Sequence, residues 1–276
     1  MECIATLKED NIINPHSMVC ADGLLYSGCY DGTISVWKDF EYFTTLKGHT
    51  ACIYSLVYTD GLLYSGSFDK TIKVWKDFEC IATLKGNTKH ILCITYFNGL
   101  LYSGCYDGII KVWKDFECIA TLKGHTDSVV CFTYGDGLLY SGSADEDIKV
   151  WKDFECIATL EGHTRSIYSM VYINGLLYSG SRDKTILIWK DLDCVGILEG
   201  HTAGIECLIY ADGLLYSCSY DKTIRVWKDF ECVDVLYGHT NWVNTLTYND
   251  GLLYSGSNDN TIKVWKEPGL LIKRAI

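Results

Sequence analysis

Serine, histidine and aspartate recur together along this chain, and hydrolases use that combination to activate a serine nucleophile. One occurrence is His49, Ser65 and Asp69, followed by Trp75. The same residue types return at the same spacing in four further segments. A hydrolase needs one exposed nucleophile and an oxyanion hole, whereas this set occurs in multiple copies, each with a tryptophan attached. We therefore interpret the sets as structural and predict that the chain is not an enzyme.

Other chemical motifs are absent from the sequence. It contains no GxxxxGK phosphate loop, no GxGxxG that opens a helix, no HExxH and no CxxC pair. We therefore predict no cofactor and no metal site. The 14 cysteines include six at one repeat position beside Ile or Val, and these we interpret as small buried apolar residues. They are Cys3, Cys80, Cys118, Cys156, Cys194 and Cys232.

The elements that carry these residues repeat with a fixed period. Seven tryptophans lie 38 residues apart, from Trp37 to Trp265. Such a period is typical of units that bury their apolar faces only by stacking on one another. The repeat runs through the whole chain, which predicts a single domain over residues 1–276.

One repeat, residues 47–84, contains four short segments rich in Val, Ile, Tyr and Leu, each bounded by turn residues. Asp60-Gly61 is a tight hairpin signal, and Lys76-Asp77-Phe78 marks a second turn. Four strands fill the period and leave no room for a helix. The sequence therefore predicts an all-β fold built from antiparallel four-stranded meanders.

Gly-His, then Ser-Gly-Ser-x-Asp, then a strand ending in Trp resembles the repeat of the WD-repeat family of β-propellers. The Asp that usually follows Trp is Lys here, as in Trp75-Lys76. The resemblance covers the whole chain and implies a seven-bladed β-propeller around a central channel. It also implies that the His, Ser, Asp and Trp of each complete set form a hydrogen-bonded chain. These sets are His49, Ser65, Asp69, Trp75; His125, Ser141, Asp145, Trp151; His163, Ser179, Asp183, Trp189; His201, Ser217, Asp221, Trp227; and His239, Ser255, Asp259, Trp265.

The first and third repeats depart from this pattern, because Asn11 and Asn87 replace the histidine. We expect those two blades to be less rigid at that corner.

The two chain ends are expected to meet in the last blade. Residues 2–7, ECIATL, match the fourth strand of the other repeats. We predict that this N-terminal strand pairs with the strand ending at Trp265 and closes the ring. Pro268 should then divert the C-terminal tail, residues 268–276.

The WD-repeat resemblance also implies a binding face, where three positions in each blade point toward the channel mouth. They are the residue before the turn aspartate and the residues three and five positions after the Gly-His histidine or its equivalent. Seven of these 21 positions are aromatic, including Trp242, which lies outside the tryptophan repeat. Exposed aromatic residues at a concave mouth are typical of binding hot spots. The alternative is that the tyrosines pack across neighbouring loops. The predicted partner-binding residues are Tyr30, Tyr54, Phe68, His90, Tyr106, Tyr168, Arg182, Glu206, Tyr220 and Trp242.

Charge narrows the class of partner. The formal net charge of −11 disfavours nucleic acid and favours a basic protein segment. Glu206 is the acid among the mouth positions, and the aromatic residues suit a Lys or Arg side chain. His16 and His90 would make binding depend on pH. A phosphopeptide is the competing ligand, but only Arg165 and Arg182 lie on that side.

We therefore expect a monomeric, non-catalytic scaffold that binds a basic protein or peptide segment at the channel mouth. No apolar stretch suggests a membrane span and no signal peptide is apparent, so we expect an intracellular, cytoplasmic location. Two alternatives stay open. The chain could be the substrate-targeting WD-repeat domain of a larger enzyme such as a kinase or ubiquitin ligase. It could also be a recently amplified or engineered repeat protein without a selected ligand.

Overall fold

The computed structural model describes residues 1–8 and 14–267, which form 28 strands in seven four-stranded antiparallel sheets. Each sheet is one blade, and its strands run in the order A, B, C, D from the channel to the perimeter. The predicted all-β propeller is confirmed.

The blades follow the chain in order. Blade 1 contains β2 (Pro15–Ala21), β3 (Leu24–Cys29), β4 (Ile34–Lys38) and β5 (Glu41–Leu46); blade 2 contains β6 (Ile53–Thr59), β7 (Leu62–Ser67), β8 (Ile72–Lys76) and β9 (Glu79–Leu84). Blade 3 contains β10 (Ile91–Phe97), β11 (Leu100–Cys105), β12 (Ile110–Lys114) and β13 (Glu117–Leu122); blade 4 contains β14 (Val129–Gly135), β15 (Leu138–Ser143), β16 (Ile148–Lys152) and β17 (Glu155–Leu160). Blade 5 contains β18 (Ile167–Ile173), β19 (Leu176–Ser181), β20 (Ile186–Lys190) and β21 (Asp193–Leu198); blade 6 contains β22 (Ile205–Ala211), β23 (Leu214–Ser219), β24 (Ile224–Lys228) and β25 (Glu231–Leu236). Blade 7 contains β26 (Val243–Asn249), β27 (Leu252–Ser257), β28 (Thr261–Lys266) and β1 (Glu2–Leu7).

Two kinds of tight turn set the meander: one joins strands A and B in all seven blades, and the other joins strands C and D in blades 1 to 6. In blade 2 the first is Asp60-Gly61, with φ of 51° and 74°, and the second is Asp77-Phe78, with φ of 49° and 68°. Positive φ at both central residues matches a type I′ turn, whose twist fits the flanking strands. Both predicted turns are therefore where the sequence places them.

The N-terminal strand closes the ring, as predicted. β1 pairs with β28 in antiparallel register from Glu2 opposite Lys266 to Leu7 opposite Ile262. The N-terminal amino group also donates to Asp234 in blade 6 at 2.7 Å. Pro268 and the rest of the predicted C-terminal tail lie outside the described residues.

The hydrophobic core is divided among the seven interfaces between neighbouring blades. Between blades 2 and 3, for example, Ile72 and Val74 pack against Ile91 and Trp113. Ile72, Val74 and Ile91 are completely buried, and each such side chain contributes roughly 1.5–3 kcal/mol to stability. Each blade therefore depends on its neighbours for a core.

The interpretation of the six repeated cysteines as buried was wrong, because all six are exposed. In blade 2 a bulge after Val74 pairs Trp75 with Cys80 and Val74 with Ala82. Strand D is the outermost strand, so nothing covers Cys80 or the half-exposed Ile81, and burial begins only at Leu84. Apolar character alone did not distinguish this perimeter strand from an inner one.

The five complete His-Ser-Asp-Trp sets are hydrogen-bonded chains inside the blades. In blade 2, His49 Nδ1 lies 2.7 Å from Asp69 Oδ2, and His49 Nε2 lies 2.7 Å from Ser65 Oγ. Trp75 Nε1 donates to the same Ser65 Oγ at 2.8 Å. Because a carboxylate only accepts, Nδ1 carries the proton, and in the neutral ring Nε2 accepts from the serine hydroxyl. Corresponding distances in blades 4, 5, 6 and 7 are 2.7–2.8 Å.

These chains hold the aspartates in the charged form. Burial by itself would raise the pKa of Asp69, but the bonds from His49 and Thr71 outweigh it, and the net pKa is lowered. Ser65 is completely buried, as are the serines of the other complete sets. A serine that solvent cannot reach is unsuited to be a nucleophile.

Blade 3 lacks the complete chain. Asn87 accepts from Ser103 at 3.2 Å, while its Nδ2 has no protein partner in the described part of the structure. Asp107 accepts from Thr88 Oγ1, and its Oδ1 is likewise unpartnered there. In blade 1 the corresponding Asn11 lies outside the described residues.

Blade 4 offers a stabilising substitution, because Asp147 occupies the position that is threonine in the other complete sets. In blade 5 that threonine, Thr185, donates to Asp183 at 2.6 Å. Asp147 donates only its backbone N–H to Asp145, and burial and the Asp145 charge raise the pKa of Asp147. We expect Asp147→Thr to raise the free energy of unfolding by about 1 kcal/mol, because it removes charge repulsion and adds a hydrogen bond. Urea denaturation of the wild-type protein and the variant measures this difference in the free energy of unfolding.

The matched control for that substitution is Glu146→Gln. It likewise removes one negative charge, but at the exposed neighbouring residue. We expect a change below about 0.5 kcal/mol, as for an ordinary surface substitution. Equal effects of the two variants would show that net charge, not the local hydrogen bond, is responsible.

Candidate partner-binding site

The three predicted mouth positions of a blade meet at one end of the channel, where the B–C turn folds over the start of strand A. In blade 2 the backbone N–H of Phe68 donates to the carbonyl of Cys52 at 2.9 Å. Blades 3 to 7 repeat this bond: the N–H of the residue before the turn aspartate donates to the carbonyl of the residue just before strand A. We call this end of the channel the mouth.

Aromatic side chains of blades 1 to 3 form one continuous stack, the first arc. It runs through Tyr30, His16, Tyr54, Phe68, His90 and Tyr106. Successive ring centroids lie 6.3, 4.9, 5.0, 4.1 and 6.1 Å apart. Tyr30 and Tyr106, at its two ends, are 57% and 55% exposed, so the arc presents aromatic surface to solvent.

A second arc spans blades 5 to 7. Tyr168 and Tyr220 have centroids 6.3 Å apart, and Tyr220 stacks on Trp242 at 4.4 Å. Trp242 is 46% exposed. The tyrosines do pack across neighbouring loops, as the alternative interpretation held, but both arcs still leave aromatic surface exposed.

The two arcs do not join into a ring. Blade 4 contributes Ser128, Val130 and Ala144 at its three mouth positions, and none of these is aromatic. On the other side, blade 7 contributes Asn244 and Asn258, and Asn244 Nδ2 donates to the carbonyl of Pro15 at 3.3 Å. The mouth is therefore a cleft between two aromatic walls, with an apolar gap on one side and a polar gap on the other.

Glu206 lies at the start of β22, inside the channel rather than on its rim. The side chain is partly exposed as a whole, but its Oε2 is buried and has no hydrogen-bond partner within the described residues. Burial raises the pKa of Glu206 to about 7, against the opposing effects of the Tyr220 hydroxyl and the Arg182 charge. The expected acid is therefore present, but in a desolvated setting that the sequence did not indicate.

Two tyrosines, Tyr54 and Tyr220, interact electrostatically with this carboxyl group. Burial, followed by the nearby Cys52 and Glu206, raises the pKa of Tyr54 to about 12. Burial and Glu206 also raise the pKa of Tyr220, with Tyr168 contributing. Glu206 is thus electrostatically close to aromatic residues of both arcs.

The two mouth histidines differ in their surroundings. Burial lowers the pKa of His16, so His16 is neutral at physiological pH and cannot act as the expected switch there. His90 Nδ1 donates to the backbone carbonyl of Phe68, which fixes its ring between Phe68 and Tyr106.

Arg182 is exposed on the blade 5 turn. Its backbone and Cγ lie over Gly204, where an added Cβ would be 3.1 Å from the Arg182 Cα. Arg182 thus lies beside the start of β22, where its charge opposes the rise in the pKa of Glu206.

The part of the chain that the structure describes has no group of three or more His, Cys, Asp or Glu placed to hold a metal ion. Nor does it contain a helix that could cross a membrane.

Sequence comparison identifies the repeat. The profile of the family described as "WD domain, G-beta repeat" matches residues 2–38, 40–76, 78–114, 116–152, 154–190, 192–228 and 230–266. The chain belongs to the WD-repeat family. Each matched WD repeat begins with the outer strand of one blade and continues through the three inner strands of the next, which is why residues 2–7 complete blade 7.

This WD-repeat chain is similar to a solved structure over most of its length and to a kinase over a short segment. The structure described as "Crystal structure of WD40 beta propeller domain of Doa1" has a TM-score of 0.89 and 25% sequence identity, with 97% of each chain covered. Myosin heavy chain kinase C of Dictyostelium discoideum is 41% identical over 56 residues, which are 20% of this chain and 7% of the kinase. The similarity to the kinase thus spans a small part of its length.

Proposed function

We propose that this WD-repeat propeller is a non-catalytic platform that binds a basic segment of a partner protein at the mouth. WD-repeat propellers are generally protein-interaction scaffolds. The observation that carries the finer proposal is the cleft itself, in which two aromatic arcs flank the buried, unpartnered Oε2 of Glu206. We further propose that the protein acts as a monomer in the cytoplasm.

A Lys or Arg side chain would supply the hydrogen-bond donors that Glu206 Oε2 does not receive from the described residues. Its donors can pair with the Glu206 carboxylate, and the faces of Tyr54, Tyr168 and Tyr220 can attract its charge. Such cation-π contacts contribute about 0.5–2 kcal/mol each, with the larger values at desolvated sites. The net charge of −11 also favours the approach of a basic segment.

Trp242→Ala tests the mouth as the binding surface. In a peptide-array screen followed by titration of the strongest basic peptide, we expect at least about a tenfold loss of affinity, as for an aromatic hot spot. The control is Tyr237→Ala, which removes another exposed aromatic residue, 74% exposed, that is not one of the three mouth positions. Equal affinities for wild type and Trp242→Ala, at unchanged melting temperature, would refute binding at the mouth.

The proposal also predicts a pH dependence. The pKa of Glu206 is about 7, and a bound cation favours the ionised form. Peptide affinity should therefore rise about tenfold from pH 6 to pH 8 as the carboxyl group loses its proton. The other groups that interact electrostatically with Glu206 are Arg182, Tyr54, Tyr220 and three cysteines, Cys131, Cys207 and Cys218. Titration by calorimetry should show a flat profile for Glu206→Gln, and an equally steep profile in that variant would exclude Glu206 as the cation site.

A second candidate function is substrate targeting for an attached enzyme. The similarity to a segment of myosin heavy chain kinase C favours this possibility. Such a domain would still bind rather than catalyse, so the mouth experiment applies to it as well. Sequencing the complete transcript decides, since the targeting role requires an enzyme domain in the same reading frame.

An amplified repeat without a selected ligand predicts a different result. The perimeter strand ECIATL recurs unchanged in several blades, which fits recent amplification, whereas the mouth positions differ from blade to blade. No peptide bound above background by the wild-type protein would favour that explanation over the proposed function.

A further inference from the structure

Two thiols face each other inside blade 6. Cys207 in β22 lies directly opposite Cys218 in β23 in the antiparallel register, and both are free. They belong to the same cluster at the interface with blade 7, together with Val243 and Leu246.

Cys218 is a departure from the repeat. At the same position the other six blades have glycine, namely Gly28, Gly66, Gly104, Gly142, Gly180 and Gly256. Opposite these glycines stand Ser17, Ser55, Cys93, Cys131, Ser169 and Thr245. Blade 6 therefore holds a thiol on both strands of this pair, where each other blade holds at most one.

The glycines show how close the two side chains must be. A Cβ added at Gly104 would lie 2.5 Å from the Cys93 sulfur, and one added at Gly142 would lie 2.7 Å from the Cys131 sulfur. In blade 6 that Cβ is present and carries a second sulfur, so the Cys207 sulfur must turn away from the position that these distances describe while it stays in contact with Cys218. Directly opposite residues of antiparallel strands have Cα atoms about 4.5–5.5 Å apart, within the range of about 4.4–6.8 Å that a disulfide spans.

The two thiols are unequal. Cys218 is fully buried, and burial raises its pKa. Cys207 is partly exposed, and contact with the Cys218 thiol lowers its pKa. Cys207 is therefore the sulfur that ionises first and that a small oxidant reaches first.

From this geometry we propose that Cys207 and Cys218 are an oxidisable dithiol, which a peroxide converts to a disulfide across β22 and β23. The Cys207 thiolate attacks one peroxide oxygen, the O–O bond breaks, and a sulfenic acid and water form. The Cys218 sulfur then attacks the Cys207 sulfur, its proton leaves with the sulfenic oxygen as a second water, and the S–S bond forms. Two thiols thus lose two electrons and two protons, and the peroxide is reduced to two waters.

The bond would join the two strands that carry Glu206 and Tyr220. Glu206 immediately precedes Cys207, and Tyr220 lies two residues after Cys218. Oxidation would therefore fix this part of the mouth. The dithiol itself requires only the pairing of β22 with β23, not the proposed binding of a peptide.

Peptide mapping tests the proposal on the complete folded chain. The protein is treated with hydrogen peroxide at low concentration, the remaining thiols are alkylated in denaturant, and the chain is cleaved before aspartates. That cleavage places Cys207 in residues 193–211 and Cys218 in residues 212–220. We expect these two peptides to appear linked, with a combined mass lower by two hydrogens, and to separate after treatment with dithiothreitol.

The chain supplies its own controls. Cys93 and Cys131, which face glycines, should stay alkylatable, and Cys218→Gly restores the residue of the other six blades and should abolish the link without loss of fold. Cys194 is exposed and lies in the same peptide as Cys207, so it reports the oxidant dose. The proposal is overturned if Cys194 is oxidised while Cys207 and Cys218 both remain alkylated, or if Cys207 is linked instead to another cysteine.

Discussion

Replacing Ser179 with alanine is expected to lower the free energy of unfolding by about 3 kcal/mol. Ser179 is completely buried, accepts the Trp189 indole N–H at 2.8 Å and donates to His163 Nε2 at 2.8 Å. Alanine would leave both the indole donor and the imidazole acceptor without a partner in a site that water does not reach. Each orphaned polar group costs about 1–3 kcal/mol, which makes this one of the more damaging single-atom deletions in the propeller.

Ser103→Ala in blade 3 is the matched control, since the same hydroxyl is removed from an incomplete chain. Ser103 accepts from Trp113 at 2.9 Å, but Asn87 stands in place of the histidine and also accepts from Cys105. We expect Ser103→Ala to lower the free energy of unfolding by about 1 kcal/mol less than Ser179→Ala does, because Asn87 Oδ1 still accepts from the Cys105 thiol. Urea unfolding of both variants measures the difference, and equal losses would show that the histidine adds nothing to the chain.

The repeat spacing and the turn residues predicted the four-stranded units, and the resemblance to WD repeats implied their arrangement as a closed ring. Each of those features depends on local patterns, such as Asp60-Gly61 at a turn or ECIATL at residues 2–7, and a fixed period copies the pattern around the ring. The exposed Cys80 was mispredicted for the opposite reason. Its exposure depends on which strand is outermost, and that is a property of the assembled ring.

The mouth shows the same limit. The WD-repeat resemblance implied which positions meet there, including Tyr54 and Trp242, but it did not show that their side chains form two separate arcs. Stacking of His16 on Tyr54 joins blades 1 and 2, so it depends on how neighbouring blades are placed. The buried Oε2 of Glu206 likewise results from residues of several blades crowding one channel. The sequence signal to seek would be a single glutamate at one mouth position, together with aromatic residues at the mouth positions of several other repeats.

Ring closure predicts that Leu7→Ala costs as much as the same substitution in the middle of the chain. Leu7 ends β1 and is 4% exposed, and Leu84 ends the equivalent strand β9 and is 3% exposed. Leu7 packs against Ile262 and Val264 of blade 7, across a chain separation that spans nearly the whole sequence. Removal of a fully buried leucine side chain costs about 2–5 kcal/mol. Each variant should therefore lose about 3 kcal/mol in urea unfolding.

The comparison separates a closed ring from an open one, because a frayed terminal strand would already have lost the burial of Leu7. A loss below about 1 kcal/mol for Leu7→Ala beside the full loss for Leu84→Ala would show that β1 is detached much of the time.

Deletion of residues 1–7 removes more than this one side chain: it removes every β1–β28 hydrogen bond and the contact of the N-terminal amino group with Asp234. That deletion should lower the melting temperature more than Leu7→Ala does, since it also exposes the edge of β28 to solvent, and more than deletion of residues 270–276. Blade 7 would then be left with three strands, and the core that it shares with blade 1 would lose one of its walls.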